Sequence, residues 1–170
     1  MRFYPKGFLF DAGGQVAVGN NINSCIAYLN SVIFQYLAKL TMPTMNFKCG
    51  VIKNLPDLRC VSEEIEEYTM LCISISKQDW DAHETSWDFE ENELIRMQGC
   101  CEEAGRNPHL MEDCYHCYQE EWTEKFNQLH ENEEELNRQF IEIYGLEDEL
   151  TPDVPLDEIT ILQQGEITIE

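Results

Sequence analysis

Charge is distributed very unevenly along this chain of 170 residues. Residues 1–60 carry six basic and two acidic residues, a balance of +4, whereas residues 61–170 carry five basic and 31 acidic residues, a balance of −26. Such asymmetry predicts two regions with different surroundings. The acidic region excludes a free-standing nucleic-acid binder, because phosphate contacts need an excess of Lys and Arg.

The first region has the signals of a mixed strand and helix piece. An apolar pattern with spacings of three and four predicts one helix, capped at Asn23 or Ser24 and ended before Pro43. An Asp-Ala-Gly-Gly turn at residues 11–14 favours a hairpin in front of this helix. The sequence also predicts three short strands, at residues 8–10, 15–18 and 51–52.

The second region is predicted to be mainly helical. Apolar residues from Val61 to Ile75 form one stripe, and those from Tyr115 to Ile143 form a longer one that ends near Gly145. Both stripes approach a coiled-coil seam, which favours an antiparallel helical pair with its glutamates facing solvent. The predicted fold class is therefore α+β, a small strand and helix piece followed by a long antiparallel helical pair.

The chain shows no sign of export or membrane insertion. Its first residues lack the apolar core of a signal peptide, and no run of about 18 apolar residues exists. We therefore expect a cytoplasmic protein with no membrane partner. Its eight cysteines are expected to stay reduced in that compartment.

Four cysteines lie close together in the sequence of the acidic region. Cys114 and Cys117 have the two-residue spacing that lets both sulfurs reach one tetrahedral zinc ion. The upstream pair, Cys100 and Cys101, is adjacent, and adjacent cysteines seldom chelate one ion well. Zinc is the weaker alternative here to inert thiols on a helix face.

Other motifs favour structural roles. The acidic residue and glycines at residues 11–14 could cradle a nucleotide cofactor, but a third glycine is missing and a hairpin turn is favoured. Trp80 and Trp87 are seven residues apart, so on a helix they would share a face. Acidic residues between them disfavour base stacking, so packing against the helical pair is expected. The many carboxylates identify no acid–base pair.

Several segments of the chain together resemble one protein family. The sequence reads ISISKQDWDAHETSWDF at residues 73–89, NEEELNR at 132–138, FIEIYGL at 140–146 and ELTP at 149–152. These segments resemble signatures of PglX, the large adenine-specific DNA methyltransferases of bacterial BREX phage-defence systems. Three shorter segments resemble the end of the family's target-recognition domains, and more loosely type I restriction specificity subunits: LNS at 29–31, PTMNF at 43–47 and IKNLP at 52–56.

The resemblance implies a position within a much longer protein. In the family, an amino-terminal domain binds S-adenosylmethionine and uses an Asn-Pro-Pro-aromatic motif at the target adenine. This chain lacks that motif, since residues 107–109 read Asn-Pro-His, so no catalytic or cofactor-binding residue can be assigned. The implied domains are residues 1–56, the end of a target-recognition-like domain; residues 57–150, an acidic helical spacer; and residues 151–170, a linker or incomplete element.

The predicted function is that of a non-catalytic fragment of a BREX-type adenine N6 DNA methyltransferase, inactive alone, with roles in target recognition and domain spacing. Its expected partners are DNA in the full-length context, the rest of the methyltransferase and other defence-system proteins. An alternative is a freestanding acidic interaction protein or DNA mimic that docks on a basic partner. The candidate DNA contacts, chosen because their side chains suit phosphate or base edges, are Thr44, Asn46, Lys48 and Lys53.

Overall fold

The computed structural model describes residues 1–4, 7, 9, 16–19, 21–41, 49–56, 62–159 and 161. Helices account for all of the regular secondary structure in these residues, and one of them, Leu156–Glu158, is a short 3-10 helix. The α-helices are α1 (Ile22–Asn30), α2 (Val32–Thr41), α3 (Cys49–Ile52), α4 (Glu63–Asp81), α5 (Glu93–Glu103) and α6 (Met111–Tyr144).

The predicted α+β fold class is wrong, because the described part of the chain is helical and contains no strand. Residues 16–18 of the predicted strand 15–18 have no regular structure, and residues 8, 10 and 15 lie outside the described part. Residues 51–52 form the last turn of α3, where Ile52 packs against a cluster that contains Phe34 and Leu55. Residues with a high strand preference form a strand only when a neighbouring strand can pair with them. Here Ile52 is instead packed against helical residues.

The single helix predicted in the first region is divided at Ser31. The backbone of Ser31 is extended, with ψ of 157°, and its hydroxyl donates to Tyr28 O at 2.7 Å. The same hydroxyl oxygen accepts from Phe34 N at 3.4 Å, which satisfies one of the first N–H groups of α2. The helix pair begins after Asn21 rather than at the predicted caps, and α2 ends at Thr41, before the proline as predicted.

The chain forms two compact units, the first of which comprises Met1–Leu71 and Asn132–Asp153. Tyr28 of α1 lies at the centre of its aromatic packing. Its ring stacks on Tyr144 at 6.0 Å and tilts against Phe140 at 6.1 Å. The hydroxyls of Tyr28 and Tyr144 both donate to Pro56 O, at 3.2 and 2.6 Å. These contacts bring α1, the end of α6 and the segment after α3 together.

The second unit comprises Cys72–Glu131 and Val154–Glu170. Ile75 of α4 packs with Phe126 and Leu129 of α6, whereas Ala82, after the end of α4, packs on a cluster nearer the start of α6. The two helices therefore run antiparallel within this unit. The cluster near the start of α6 consists of Met97, Cys101, Cys114, Cys117, Tyr118 and Trp122. The predicted division at residues 56 and 150 stays a prediction.

The two tryptophans expected to pack on one helix face do not do so. Trp80 is 48% exposed near the end of α4, and Trp87 is 94% exposed in the loop that follows. Asp81 ends α4 and accepts a hydrogen bond from the Ser86 hydroxyl at 2.7 Å, while Asp88 N donates to the same hydroxyl oxygen at 3.1 Å. These bonds fold the loop back on the helix end and leave Trp87 facing solvent.

A bilayer-crossing segment is absent from the described residues, since none of their helices combines the length and the apolar character that a span requires.

Candidate functional site

Of the four predicted DNA contacts, Lys53 is the one that lies among the described residues. Lys53 is exposed in the turn that follows α3. Thr44, Asn46 and Lys48 lie outside the described residues, as do residues 11–14 of the glycine turn. Contact of these four residues with DNA therefore stays a prediction.

A network of charged side chains surrounds Trp122 in the second unit. The indole is 4% exposed, and its Nε1 donates to Glu93 Oε2 at 3.1 Å. Lys125 Nζ lies 4.5 Å from the ring centroid, a cation–π distance. An aromatic side chain is therefore buried between α5 and α6 with its one polar atom paired and a cation over its face.

Arg96 links both helices within this network. Its Nε and Nη2 donate to the two carboxylate oxygens of Glu93, at 3.0 and 2.7 Å. Nη2 also donates to Glu121 Oε1 at 2.7 Å, and Lys125 reaches the same oxygen at 2.5 Å. Forked bonds of this kind are short and directional, so they fix the distance and rotation of α5 relative to α6.

Local sequence explains how these side chains reach their positions. Asn92 caps α5, because its Oδ1 accepts from Leu94 N at 3.0 Å, and this places Glu93 in the first turn. Glu93 and Arg96 are three residues apart, and Glu121 and Lys125 are four apart, so each pair shares a helix face. Those two pairs are visible in the sequence, whereas the bond from Arg96 to Glu121 depends on how the helices pack.

The network holds Glu121 and Arg96 in their charged states. Burial opposes ionisation of Glu121, but hydrogen bonds from Lys125 and Arg96 outweigh it and lower the pKa of that carboxyl. The hydrogen bond to Glu93 raises the pKa of Arg96 above its usual value. Proton transfer needs a group that titrates near the working pH. This network is therefore suited to holding helices together rather than to acid–base catalysis.

Acid should weaken the second unit through Glu121. Its pKa is lower in the folded protein than the 4.5 of the free side chain, so its stabilising contribution is present above that value and is lost as pH falls through the folded pKa. Below about pH 4.5, we expect the urea concentration at the unfolding midpoint to decrease. This decrease should be smaller in Glu121→Gln. Urea titrations between about pH 3 and pH 7 measure this dependence. Glu124 is exposed, so Glu124→Gln is the control. An equally reduced pH dependence of the midpoint in both variants would contradict the assignment to Glu121.

A cluster of thiols lies beside the charged network. Cys101 of α5 donates to Cys117 Sγ of α6 at 3.1 Å, and Cys114 donates to Pro108 O at 3.4 Å. Cys100 is partly buried against the same cluster. Within the described ranges, no group of three or more His, Cys, Asp or Glu side chains is arranged to hold a metal ion. The zinc alternative for Cys100, Cys101, Cys114 and Cys117 therefore gains no support from the geometry.

Comparison with known proteins gives two curated relatives. The chain is 41% identical over 155 residues to the adenine-specific methyltransferase PglX of Lacticaseibacillus casei (strain Zhang), a match that covers 89% of this chain and 13% of that protein. It is 39% identical over 104 residues to the adenine-specific methyltransferase BrxX of Escherichia coli O9:H4 (strain HS), covering 58% of this chain and 8% of that protein. No protein-family model and no solved structure matches the chain.

Proposed function

Because this chain is PglX-like over 89% of its length, we propose that it is a non-catalytic part of a BREX-type adenine-specific DNA methyltransferase, serving target recognition and domain spacing. The similarity confirms the resemblance seen in the sequence. The chain spans 13% of the length of the PglX relative and 8% of that of the BrxX relative, so the activity of a whole protein is assigned here only as a proposal.

The spacer role is supported by the side chains of the second unit. Glu121 Oε1 accepts from two cations, Arg96 and Lys125, and Trp122 is buried with its indole N–H paired. Such pairing stabilises a fixed arrangement of helices. The sequence also lacks the family's Asn-Pro-Pro-aromatic motif. Methyl transfer would therefore be the work of another part of the parent protein, which would also bind S-adenosylmethionine.

The target-recognition role is supported by charge. The +4 balance of residues 1–60 suits contact with phosphate, whereas the −26 balance of residues 61–170 does not. In the parent protein, the target adenine would leave the duplex to receive a methyl group on its exocyclic nitrogen. We propose cytoplasmic DNA as the partner of the intact protein, together with the rest of its own chain and other defence-system proteins.

A methylation assay tests the proposal. The isolated chain, incubated with labelled S-adenosylmethionine and duplex DNA, is expected to transfer no methyl group, with the full-length L. casei PglX run in parallel as the positive control. A PglX chimera in which this chain replaces the 155-residue matched segment is expected to methylate adenine. The same chimera with the order of residues 111–144 scrambled should lose activity, because the helix that holds the network is gone. Methyl transfer by the isolated chain would refute the non-catalytic assignment.

A second candidate is a freestanding acidic protein that mimics DNA or docks on a basic partner. The observation that favours it is the 94% exposure of Trp87 within an acidic surface loop, since exposed tryptophans are common in protein interfaces. Adding the isolated chain to a complex of full-length PglX with labelled duplex DNA distinguishes the two. At low salt, where charge attraction is strongest, a mimic displaces the DNA and a spacer does not.

A further inference from the structure

Two buried thiols from different helices lie almost in bonding contact in the second unit. Cys101 of α5 is 0% exposed and Cys117 of α6 is 7% exposed, and their sulfurs are 3.1 Å apart. Since a disulfide bond is about 2.05 Å long, a shift of about 1 Å would join them. Both residues lie in one packed cluster with Met97 and Tyr118, so the two sulfurs are held as neighbours by the surrounding side chains.

The surroundings of the two sulfurs differ. Arg106 Nη1 donates to Cys117 Sγ at 3.3 Å, and the guanidinium is fixed there by Glu120, at 3.0 and 2.8 Å. A cation beside a sulfur favours the thiolate, which is the nucleophilic form of cysteine. Burial raises the pKa of Cys101 to about 12, and its contacts with Cys117 and Cys114 add to this effect. The contact with Arg106 therefore assigns the attacking role to the Cys117 sulfur, and Cys101 is the resolving thiol.

We propose that Cys117 and Cys101 form a redox-sensitive dithiol, which a hydroperoxide converts into a disulfide bond between α5 and α6. The neighbouring thiols are less suited to this role. The Cys114 thiol is directed at the carbonyl oxygen of Pro108, and Cys100 packs at the edge of the cluster. The proposal goes beyond the proposed function and does not rest on it.

The chemistry has two steps and uses hydrogen peroxide as the oxidant. The Cys117 thiolate attacks one peroxide oxygen, which breaks the O–O bond, forms a sulfenic acid and releases hydroxide that a proton converts to water. The Cys101 sulfur then attacks the Cys117 sulfur, its proton passes to the departing hydroxyl, and a second water leaves. Two thiols and one peroxide thus give one disulfide and two waters, with both sulfurs oxidised and both peroxide oxygens reduced.

The bond would stabilise the contact between α5 and α6. It would close the loop of residues 102–116, which restricts the unfolded chain. We expect the thermal midpoint of the full chain to rise by about 5 °C on oxidation and to return on treatment with a dithiol reductant. The expected mass change is a loss of about two mass units, because two hydrogens leave and no oxygen is retained.

Peptide mapping of the full 170-residue chain tests the proposal directly. After brief peroxide treatment and alkylation of the remaining thiols, trypsin cuts after Arg106 and so separates the two cysteines. The proposal expects peptides 97–106 and 107–125 joined, with fragmentation that places the bond at Cys101 and Cys117. A bond that uses Cys100 or Cys114 instead, two unjoined peptides, or accumulation of sulfinic acid would overturn it.

Four single variants complete the test. Cys101→Ala and Cys117→Ala should each abolish the joined peptides, whereas Cys100→Ala and Cys114→Ala should retain them. Circular dichroism before oxidation establishes that each variant is helical. If Cys101→Ala or Cys117→Ala fails to fold, the peptide map of the wild-type chain identifies the two bonded cysteines. Retention of the joined peptides in Cys117→Ala would refute the assigned pair.

Discussion

Replacing Trp122 by alanine is expected to lower the free energy of unfolding by about 4 kcal/mol. The indole is almost fully buried, and its ring packs against Tyr118 with centroids 6.2 Å apart. The substitution leaves a cavity between α5 and α6 and removes the N–H that Glu93 accepts at 3.1 Å. It also removes the ring beneath Lys125 Nζ. Urea unfolding followed by far-ultraviolet circular dichroism measures the change.

The chain offers a matched control for this prediction. Trp87 is the same residue type but almost fully exposed, so Trp87→Ala should change the free energy of unfolding by no more than about 0.5 kcal/mol. Comparable losses in the two variants would show that Trp122 is not held between the helices as described. Trp122→Phe keeps most of the apolar volume and loses the bond to Glu93. Its loss in free energy of unfolding should therefore lie between those of Trp87→Ala and Trp122→Ala.

The second large loss in the free energy of unfolding is expected when Asn137, in the first unit, is replaced. Its Oδ1 accepts from Val32 N at 2.9 Å and its Nδ2 donates to Pro152 O at 3.2 Å, and the side chain is buried. Asn137→Leu would leave both backbone groups unpaired where water cannot easily replace the amide. We expect a loss of about 3 kcal/mol, measured by the same urea titration.

Asn127→Leu is the control for Asn137→Leu. Asn127 is exposed on the same helix, so its replacement should change the free energy of unfolding by no more than about 0.5 kcal/mol. If the two leucine variants unfolded at the same urea concentration, the bridge from α6 to Val32 and Pro152 would not be a stabilising contact.

The long helix α6 was predictable because its determinants are local. Apolar residues from Tyr115 to Ile143 recur at helical spacing, and α6 covers Met111–Tyr144. Gly145 follows it with φ of +65°, a left-handed conformation that ends helices and that glycine adopts without strain. The same local reasoning placed the end of α2 before Pro43.

The strand predictions failed because a β-strand forms only when a second strand supplies its backbone hydrogen bonds. Ile52 is β-branched, yet it lies in α3 and buries its side chain against helical residues that include Phe34. The helix break at Ser31 was missed for a related reason. The serine hydroxyl bonds locally to Tyr28 O, but Val32 N is satisfied by Asn137, which is 105 residues away in the sequence.

Part of the candidate site was visible in the sequence. The pair of Glu93 and Arg96 and the pair of Glu121 and Lys125 have the spacing of helical ion pairs. Nothing in the sequence joins the two pairs, because the bond from Arg96 to Glu121 exists only when α5 packs on α6. The cysteine motif shows the same limit, since residue spacing emphasised Cys114 with Cys117 whereas packing pairs Cys117 with Cys101.

The sequence by itself determined the long acidic helix α6, its end at Gly145 and the kinship with adenine-specific methyltransferases, because periodicity, capping and residue identity act over a few neighbouring positions. The tertiary structure alone decided which tryptophan is buried, which sulfurs meet and that Glu121 is held charged. Those outcomes depend on contacts between residues distant in the chain, where exclusion of water makes each pairing strong and each unpaired group costly.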